Sequence, residues 1–313
     1  MTSKKIKIVF FGTHNFAEKI LRGLLTSPII DVELVITQPD KPAGRKQELK
    51  ASPVKILAEK NNIEIQQPGS LKTFDFKTLE TFDLSVVAQY GLLIPENIIN
   101  APKHRTLNVH TSLLPKYRGA SPIQSALVNG ETETGVTIMQ MNKGLDTGPI
   151  ILQKTLKIET NDTYIELDKK LAKIGILALL EAIPDYISGD LQPTTQDESK
   201  ATTCTQLTRE DGKIDWSKST SEIYNLYRGL TPWPGVWTIW NDKRLKLLSL
   251  QPGGKNLQPG EVEIENNELY IGTSDSSLKI LELQLEGKQK MDAKSFVNGY
   301  KSNPERSEPD IVG

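Results

Sequence analysis

From Ile6 to Ile183 the chain alternates short, nearly unbroken apolar runs with amphipathic segments. A mostly parallel sheet wrapped by helices satisfies that alternation, and few other architectures do. Ile6 to Phe11 (IKIVFF) lacks the polar alternation of a half-exposed strand, so it predicts a strand buried on both faces. Gly12 ends it, and Asn15 to Leu25 has helical spacing through Phe16, Ile20, Leu21 and Leu24. Val32 to Thr37, Asp83 to Ala88 and Thr106 to His110 predict further strands. Pro53 to Asn61 opens with proline where a helix has no use for the missing N–H. Tyr164 to Ile183 predicts a long amphipathic helix closed by Pro184.

The pattern then changes. Asp190 to Thr208 is polar and aperiodic and is expected to be a linker. Ile223 to Leu230 predicts a short helix stopped by Pro232. Five short alternating segments follow: Val236 to Trp240, Arg244 to Leu250, Gly260 to Ile264, Leu269 to Thr273 and Leu278 to Leu285. Such a series suggests a small closed β-barrel. A chain of 313 residues fits two domains. The expected division is 1–189 for an α/β domain, 190–207 for the linker and 208–313 for the barrel.

Composition excludes several classes. No apolar run approaches the roughly 20 residues of a membrane span, and the run after the lysines of the N-terminus is too short for a signal peptide. One cysteine, Cys204, rules out an internal disulfide framework and suits the cytoplasm. The three histidines, His14, His104 and His110, lack metal-ligand spacing, so no metal is expected. The net charge is −1, with −2 from Thr208 onward, so any nucleic-acid contact must come from local basic patches. The first strand–helix turn carries one glycine where a dinucleotide fingerprint needs three, which argues against a nicotinamide enzyme.

Chemistry in open α/β sheets collects beyond the carboxyl ends of the strands. Two stretches lie there. In Leu107 to Ile123 (LNVHTSLLPKYRGASPI), Asn108 and His110 fall on the same side of a strand end, where both can donate to an oxygen gaining negative charge. In Val136 to Ile151 (VTIMQMNKGLDTGPII), two glycines bend the chain tightly around Asp146. Spacing alone also allows a core histidine and a structural turn aspartate.

At these residues the sequence resembles the formyltetrahydrofolate-dependent formyltransferases. That family has an Asn-x-His…Asp constellation followed by Ser-Leu-Leu-Pro, here Asn108, His110, Ser112 to Pro115, and Asp146. The likeness extends over Phe11-Gly12-Thr13, Thr37 to Arg45, Ser52 to Lys55, Tyr90-Gly91-Leu92, Tyr117 to Ala120, Glu133 to Met139, Gly144 to Gly148, Ile214 to Trp216 and Pro232 to Gly235. Together and in order they are specific. The resemblance implies a Rossmann-like, doubly wound catalytic domain and an OB-like C-terminal barrel that contacts tRNA. It implies 10-formyltetrahydrofolate as co-substrate, held by Ser112, Leu113, Leu114, Pro115, Tyr90 and Gly91. Asn108, His110 and Asp146 become the catalytic set. The acceptor implied is initiator methionyl-tRNA, reached by Lys41 and Arg45 in the basic Gln38–Lys50 segment, with Arg228 and Lys213 as weaker phosphate contacts. Trp233, Trp237 and Trp240 are expected in the core rather than stacked on bases. A monomer is expected. The chain departs from the family at His14, Gln89 and Thr111, where Pro and small residues are usual. A sugar-nucleotide amine as acceptor, and a catalytically silent tRNA-binding module, are the competing readings.

Overall fold

The computed structural model describes residues 5–43, 48–301 and 312. The chain forms two compact units, the first of Met1–Gly119, Glu133–Lys157 and Asp168–Cys204, the second of Ala120–Thr132, Ile158–Leu167 and Thr205–Gly313. In chain order the elements up to the second expected core are β1 (Ile6–Gly12), α1 (Asn15–Leu25), β2 (Ile30–Ile36), β3 (Lys41–Ala43), β4 (Glu48–Lys50), α2 (Pro53–Lys60), β5 (Glu64–Gln66), β6 (Leu84–Ala88), α3 (Glu96–Ile99), β7 (Thr106–His110), β8 (Arg118–Gly119), α4 (Pro122–Val128), β9 (Glu133–Gln140), β10 (Ile150–Lys157), α5 (Tyr164–Ser188) and β11 (Thr203–Cys204).

The first unit is built on a seven-stranded sheet of order β10-β9-β7-β6-β1-β2-β5. β1 lies between β2 and β6, with β5 and β7 beyond them, all parallel. β9 runs antiparallel to β7, and β10 antiparallel to β9. Ile8 to Phe11 are wholly buried, as the unbroken apolar run requires. α1 turns Phe16, Ala17, Ile20, Leu21 and Leu24 inward. A Cβ on Gly12 would lie 2.7 Å from the Ala17 methyl, so the single glycine of this turn serves close strand–helix packing. Ser52 caps α2 by accepting from the Lys55 N–H, with Pro53 in the first turn.

Two expectations need correction here. α5 does not stop at Pro184; it runs to Ser188. The proline loses one backbone hydrogen bond, at roughly 3 kcal/mol. Fully buried Ala178, Leu179, Ala182 and Ile183 hold the helix through it. The Asp190–Thr208 stretch is also more than a tether. As far as Cys204 it is bonded to the first unit: Thr194 bridges Ile150, Arg118 N–H donates to Thr202 O at 2.9 Å, and β11 pairs in parallel with β8.

The second unit continues with α6 (Thr220–Leu230), β12 (Val236–Trp240), β13 (Lys243–Pro252), β14 (Val262–Glu265), β15 (Glu268–Gly272), β16 (Ser277–Leu285), β17 (Met291–Asp292) and α7 (Ala293–Lys301). Ser219 and Glu222 form a capping box at the start of α6, three residues before the apolar spacing begins. The antiparallel sheet follows the order β12-β13-β16-β15-β14, with β17 on β16. Among the described residues the hydrogen-bonded ladder runs along this path, the antiparallel β domain expected for the C-terminal part. Its apolar face joins α6 and α7 in one core containing Trp216, Trp240, Leu245, Leu269, Ile280 and Val297. α4 packs on α6, where a Cβ on Gly229 would meet a Val128 methyl at 2.7 Å.

Candidate active site

β7 carries Asn108 and His110 to its carboxyl end, and pairing with β9 sets Asn108 beside Met139 and His110 beside Thr137. Asn108 is half-buried, and its amide has no hydrogen-bond partner among the described residues. His110 is buried. Its Nε2 lies 2.9 Å from the Tyr117 carbonyl oxygen. A carbonyl only accepts, so Nε2 carries a hydrogen. Nδ1 faces Asp146 Oδ2 at 3.7 Å, too far for a direct hydrogen bond and close enough for an ion pair. Asp146, with φ +52°, is itself held by the Gly119 N–H, which donates to Oδ2 at 2.8 Å.

Thus His110 and Asp146 meet although they stand far apart along the chain, and Asn108 lies two residues before His110 on the same strand. One short segment ties His110 to Asp146. Tyr117 holds His110, Gly119 holds Asp146, and Arg118 between them is buried against Gln196 and Glu198. The expected symmetry of Asn108 and His110 as twin donors is revised. His110 has spent its Nε2–H on Tyr117, which leaves the Asn108 amide as the donor free for a ligand.

Beyond β7, Ser112 to Pro115 is organised by a residue the sequence reading passed over. Thr137 Oγ1 donates to Ser112 O at 2.7 Å and accepts from Leu114 N–H at 3.1 Å and Gln153 Nε2 at 2.9 Å. Gln153 Nε2 also reaches Leu114 O. Leu113 lies over Gly135, where a Cβ would come within 2.5 Å of its methyl. A threonine flanked by apolar residues on a buried strand was the only sequence signal for this hub.

Tyr90 and Gly91 lie just beyond the carboxyl end of β6. The Tyr90 ring sits in the hydrophobic core, edge-on to Phe11 at 5.5 Å, with no partner for its hydroxyl among the described residues. Burial pushes its pKa up to about 12, so it stays neutral. The ring packs among the apolar side chains of the core, where burial of a large aromatic outweighed the isolated hydroxyl. Its backbone is held as well: Tyr90 O accepts buried hydrogen bonds from Thr13 Oγ1 at 2.9 Å and from Gln38 Nε2 at 2.7 Å, while Gly91 beside it is exposed. Gly91, at φ +82°, leaves room for that Gln38 amide.

Lys41 is exposed at the start of the β3–β4 hairpin, with Nζ 2.6 Å from Gln38 Oε1. Arg45 lies outside the described residues. Arg228 is a correction. It is buried in the second unit, donating to Asp162 O and Asn225 Oδ1, while its Nε has no partner among the described residues. Burial holds its pKa below the ordinary guanidinium value. It braces the packing of α6 and offers nothing to a phosphate. Trp237 and Trp240 are buried as expected, Trp237 beneath the Arg244 guanidinium at 3.8 Å, whereas Trp233 is 55% exposed. Among the described residues no group of His, Cys, Asp or Glu is arranged to hold a metal ion, and no helix is long and apolar enough to cross a membrane.

Comparison with known proteins bears on this site. Residues 4–183 match the formyl transferase family model, and residues 206–301 match the formyl transferase C-terminal domain. The methionyl-tRNA formyltransferase of Caldicellulosiruptor saccharolyticus is 43% identical over 303 residues, covering 94% of this chain and 97% of the relative. That of Halalkalibacterium halodurans is 42% identical, covering 94% and 95%. Among solved structures, the sugar 3N-formyl transferase WlaRD superposes with a TM-score of 0.65 at 24% identity, covering 92% of this chain and 100% of that one. The N-formyltransferase from Helicobacter canadensis gives 0.66 at 20%, covering 88% and 98%. The last two likenesses concern the fold.

Proposed function

Because the chain belongs to the formyl transferase family, we propose that its cluster of Asn108, His110 and Asp146 serves formylation of methionyl-tRNA. The enzyme transfers a formyl group from a formyl-folate to the free amino group of methionyl-tRNA. The observation that carries this is identity above 40%, over nearly the full length, to relatives of that activity. The donor is taken as 10-formyltetrahydrofolate and the acceptor as the initiator species, both at work in the cytoplasm, where translation starts.

The reaction needs no protein nucleophile. The methionyl amine attacks the formyl carbon, and a tetrahedral oxyanion forms. The carbon–nitrogen bond to the folate then breaks, and a proton passes in net from the amine to the folate nitrogen. Asn108, whose amide is unpartnered among the described residues, donates to the oxyanion. Asp146 faces His110 Nδ1 and is placed to balance a positive imidazolium as the proton leaves the amine. Ser112 to Pro115, braced by Thr137, and the Tyr90-Gly91 turn form the folate side. Lys41, with Arg45 in the same segment, reaches the tRNA acceptor end, so affinity should fall with salt.

Two measurements test this. In the first, purified protein is supplied with 10-formyltetrahydrofolate and charged initiator methionyl-tRNA, elongator methionyl-tRNA or an amino-sugar nucleotide. Formylmethionine on the initiator is expected; product only on the sugar would transfer the site to the competing reading. The second is Thr137→Val, which keeps the shape and removes the hydroxyl. Folate affinity should weaken roughly tenfold, because each buried group it leaves unpaired costs about 1–3 kcal/mol. Unchanged folate binding, read by fluorescence titration, would mean the Ser112–Pro115 turn does not hold the donor.

A further inference from the structure

The segment entering β11 contributes one side chain to the site's interior. Gln196 is only 5% exposed, and every hydrogen-bonding position of its amide is used. Its Oε1 accepts from Arg118 Nε at 3.0 Å and Nη2 at 2.8 Å. Its Nε2 donates to Asp146 O at 2.8 Å and Gly148 O at 2.7 Å. The amide cannot be flipped, since that would set NH2 against a guanidinium and oxygen against two carbonyls. Arg118 is followed by Gly119, whose N–H returns to the Asp146 carboxylate. A closed ring results: Arg118 to Gln196, Gln196 to the Asp146 backbone, and the Asp146 side chain back to Gly119.

We propose that Gln196 is the positioning residue that aims Asp146 at His110, so that the catalytic set is completed by the segment between α5 and α6. The inference rests on the reading that Asp146 works beside His110 in formyl transfer. Asp146 sits in the left-handed region that a non-glycine residue avoids, so its turn must be held from outside. Gln196 holds both carbonyls of that turn, Asp146 and Gly148. Arg118 is additionally paired with Glu198 through both Nη atoms, which keeps the acceptor end of Gln196 in place. The residue touches no expected substrate atom and acts through Asp146.

The two ends of the amide allow a discriminating variant. Gln196→Glu has the same shape and still accepts from Arg118, so the segment stays anchored. It turns lone pairs toward the Asp146 and Gly148 carbonyls and so releases the turn. Gln196→Glu is expected to lower kcat for methionyl-tRNA by roughly 10- to 100-fold, with KM for either substrate moving less than about threefold, since a misplacement near 1 Å suffices for that loss. A second readout is independent of turnover. His110 is one of three histidines in the chain, so its ring signals can be assigned by nitrogen-15 NMR. In Gln196→Glu they should move toward their positions in Asp146→Ala, with the melting temperature showing the protein folded. Wild-type kcat in Gln196→Glu together with unmoved His110 signals would overturn the proposal, leaving Gln196 a mere anchor. Should the wild-type protein fail to formylate methionyl-tRNA, the functional reading falls and the His110 signals alone decide the role of Gln196.

Discussion

Asn108→Ala is expected to lower single-turnover formylation by roughly 100- to 1000-fold, the usual loss when one oxyanion donor is removed, while leaving the folded state untouched. The second half of that expectation makes the variant informative. The Asn108 amide makes no hydrogen bond among the described residues and is half-buried, so truncation strands no partner. Stability should stay within about 0.5 kcal/mol of wild type, as for substitutions away from buried networks. His110→Ala makes the contrast. It also silences the enzyme, but it removes the shorter of two hydrogen bonds to Tyr117 O, leaving only that from Cys204 Sγ, and opens a buried space, so it should lower the denaturation midpoint as well. Both are measured at saturating folate and tRNA, alongside urea unfolding. If Asn108→Ala turns over at the wild-type rate, the oxyanion is held elsewhere and the role assigned here to the strand end is wrong.

Gly119→Ala is expected to carry a large structural penalty. Gly119 has φ +126°, and a Cβ built there would lie 2.0 Å from the Cys204 carbonyl oxygen across the β8–β11 pairing. Backbone on one side and a conformation closed to L side chains on the other leave no cheap relief. Strain of this kind costs about 1–3 kcal/mol. With the clash added, a loss of about 3 kcal/mol is expected. Activity should fall further than the folded fraction accounts for, because the Gly119 N–H holds Asp146 and the same three-residue segment holds His110 and Gln196. Gly69→Ala is the control: a Cβ there meets nothing within 4 Å. Urea unfolding and turnover per folded molecule decide the matter. A Gly119→Ala protein as stable and active as Gly69→Ala would show that β8 can move away from β11 without disturbing the site.

Much of the fold was legible in the residues. β7 and β12 were read with their observed limits, and α1 likewise, because hydrophobic period reports how each residue is hydrated and needs no knowledge of distant partners. The errors came where a local rule met a tertiary force. Pro184 obeys the rule for helix ends, and a buried stripe overrides it. Arg228 reads as a surface cation in a short amphipathic helix, and its guanidinium instead satisfies carbonyls inside the second unit. The Tyr90 hydroxyl reads as a polar handle in the sequence, and the ring carrying it packs in the apolar core.

The sequence by itself determined which strands are buried on both faces, where α1, α2 and α5 begin, and which residue types stand at the strand ends. Those are properties of a residue and its near neighbours. Tertiary structure alone decided that β9 lies beside β7, which brings Thr137 under Ser112 to Pro115, and that the Tyr117–Gly119 segment meets His110, Asp146 and Gln196 at once. The physical reason is that hydrogen bonds between distant segments follow from sheet order and from the need to pair every buried polar group. Neither leaves a period in the sequence, and Gln196, in a polar stretch with no pattern, became a site residue only when the chain folded back over Asp146.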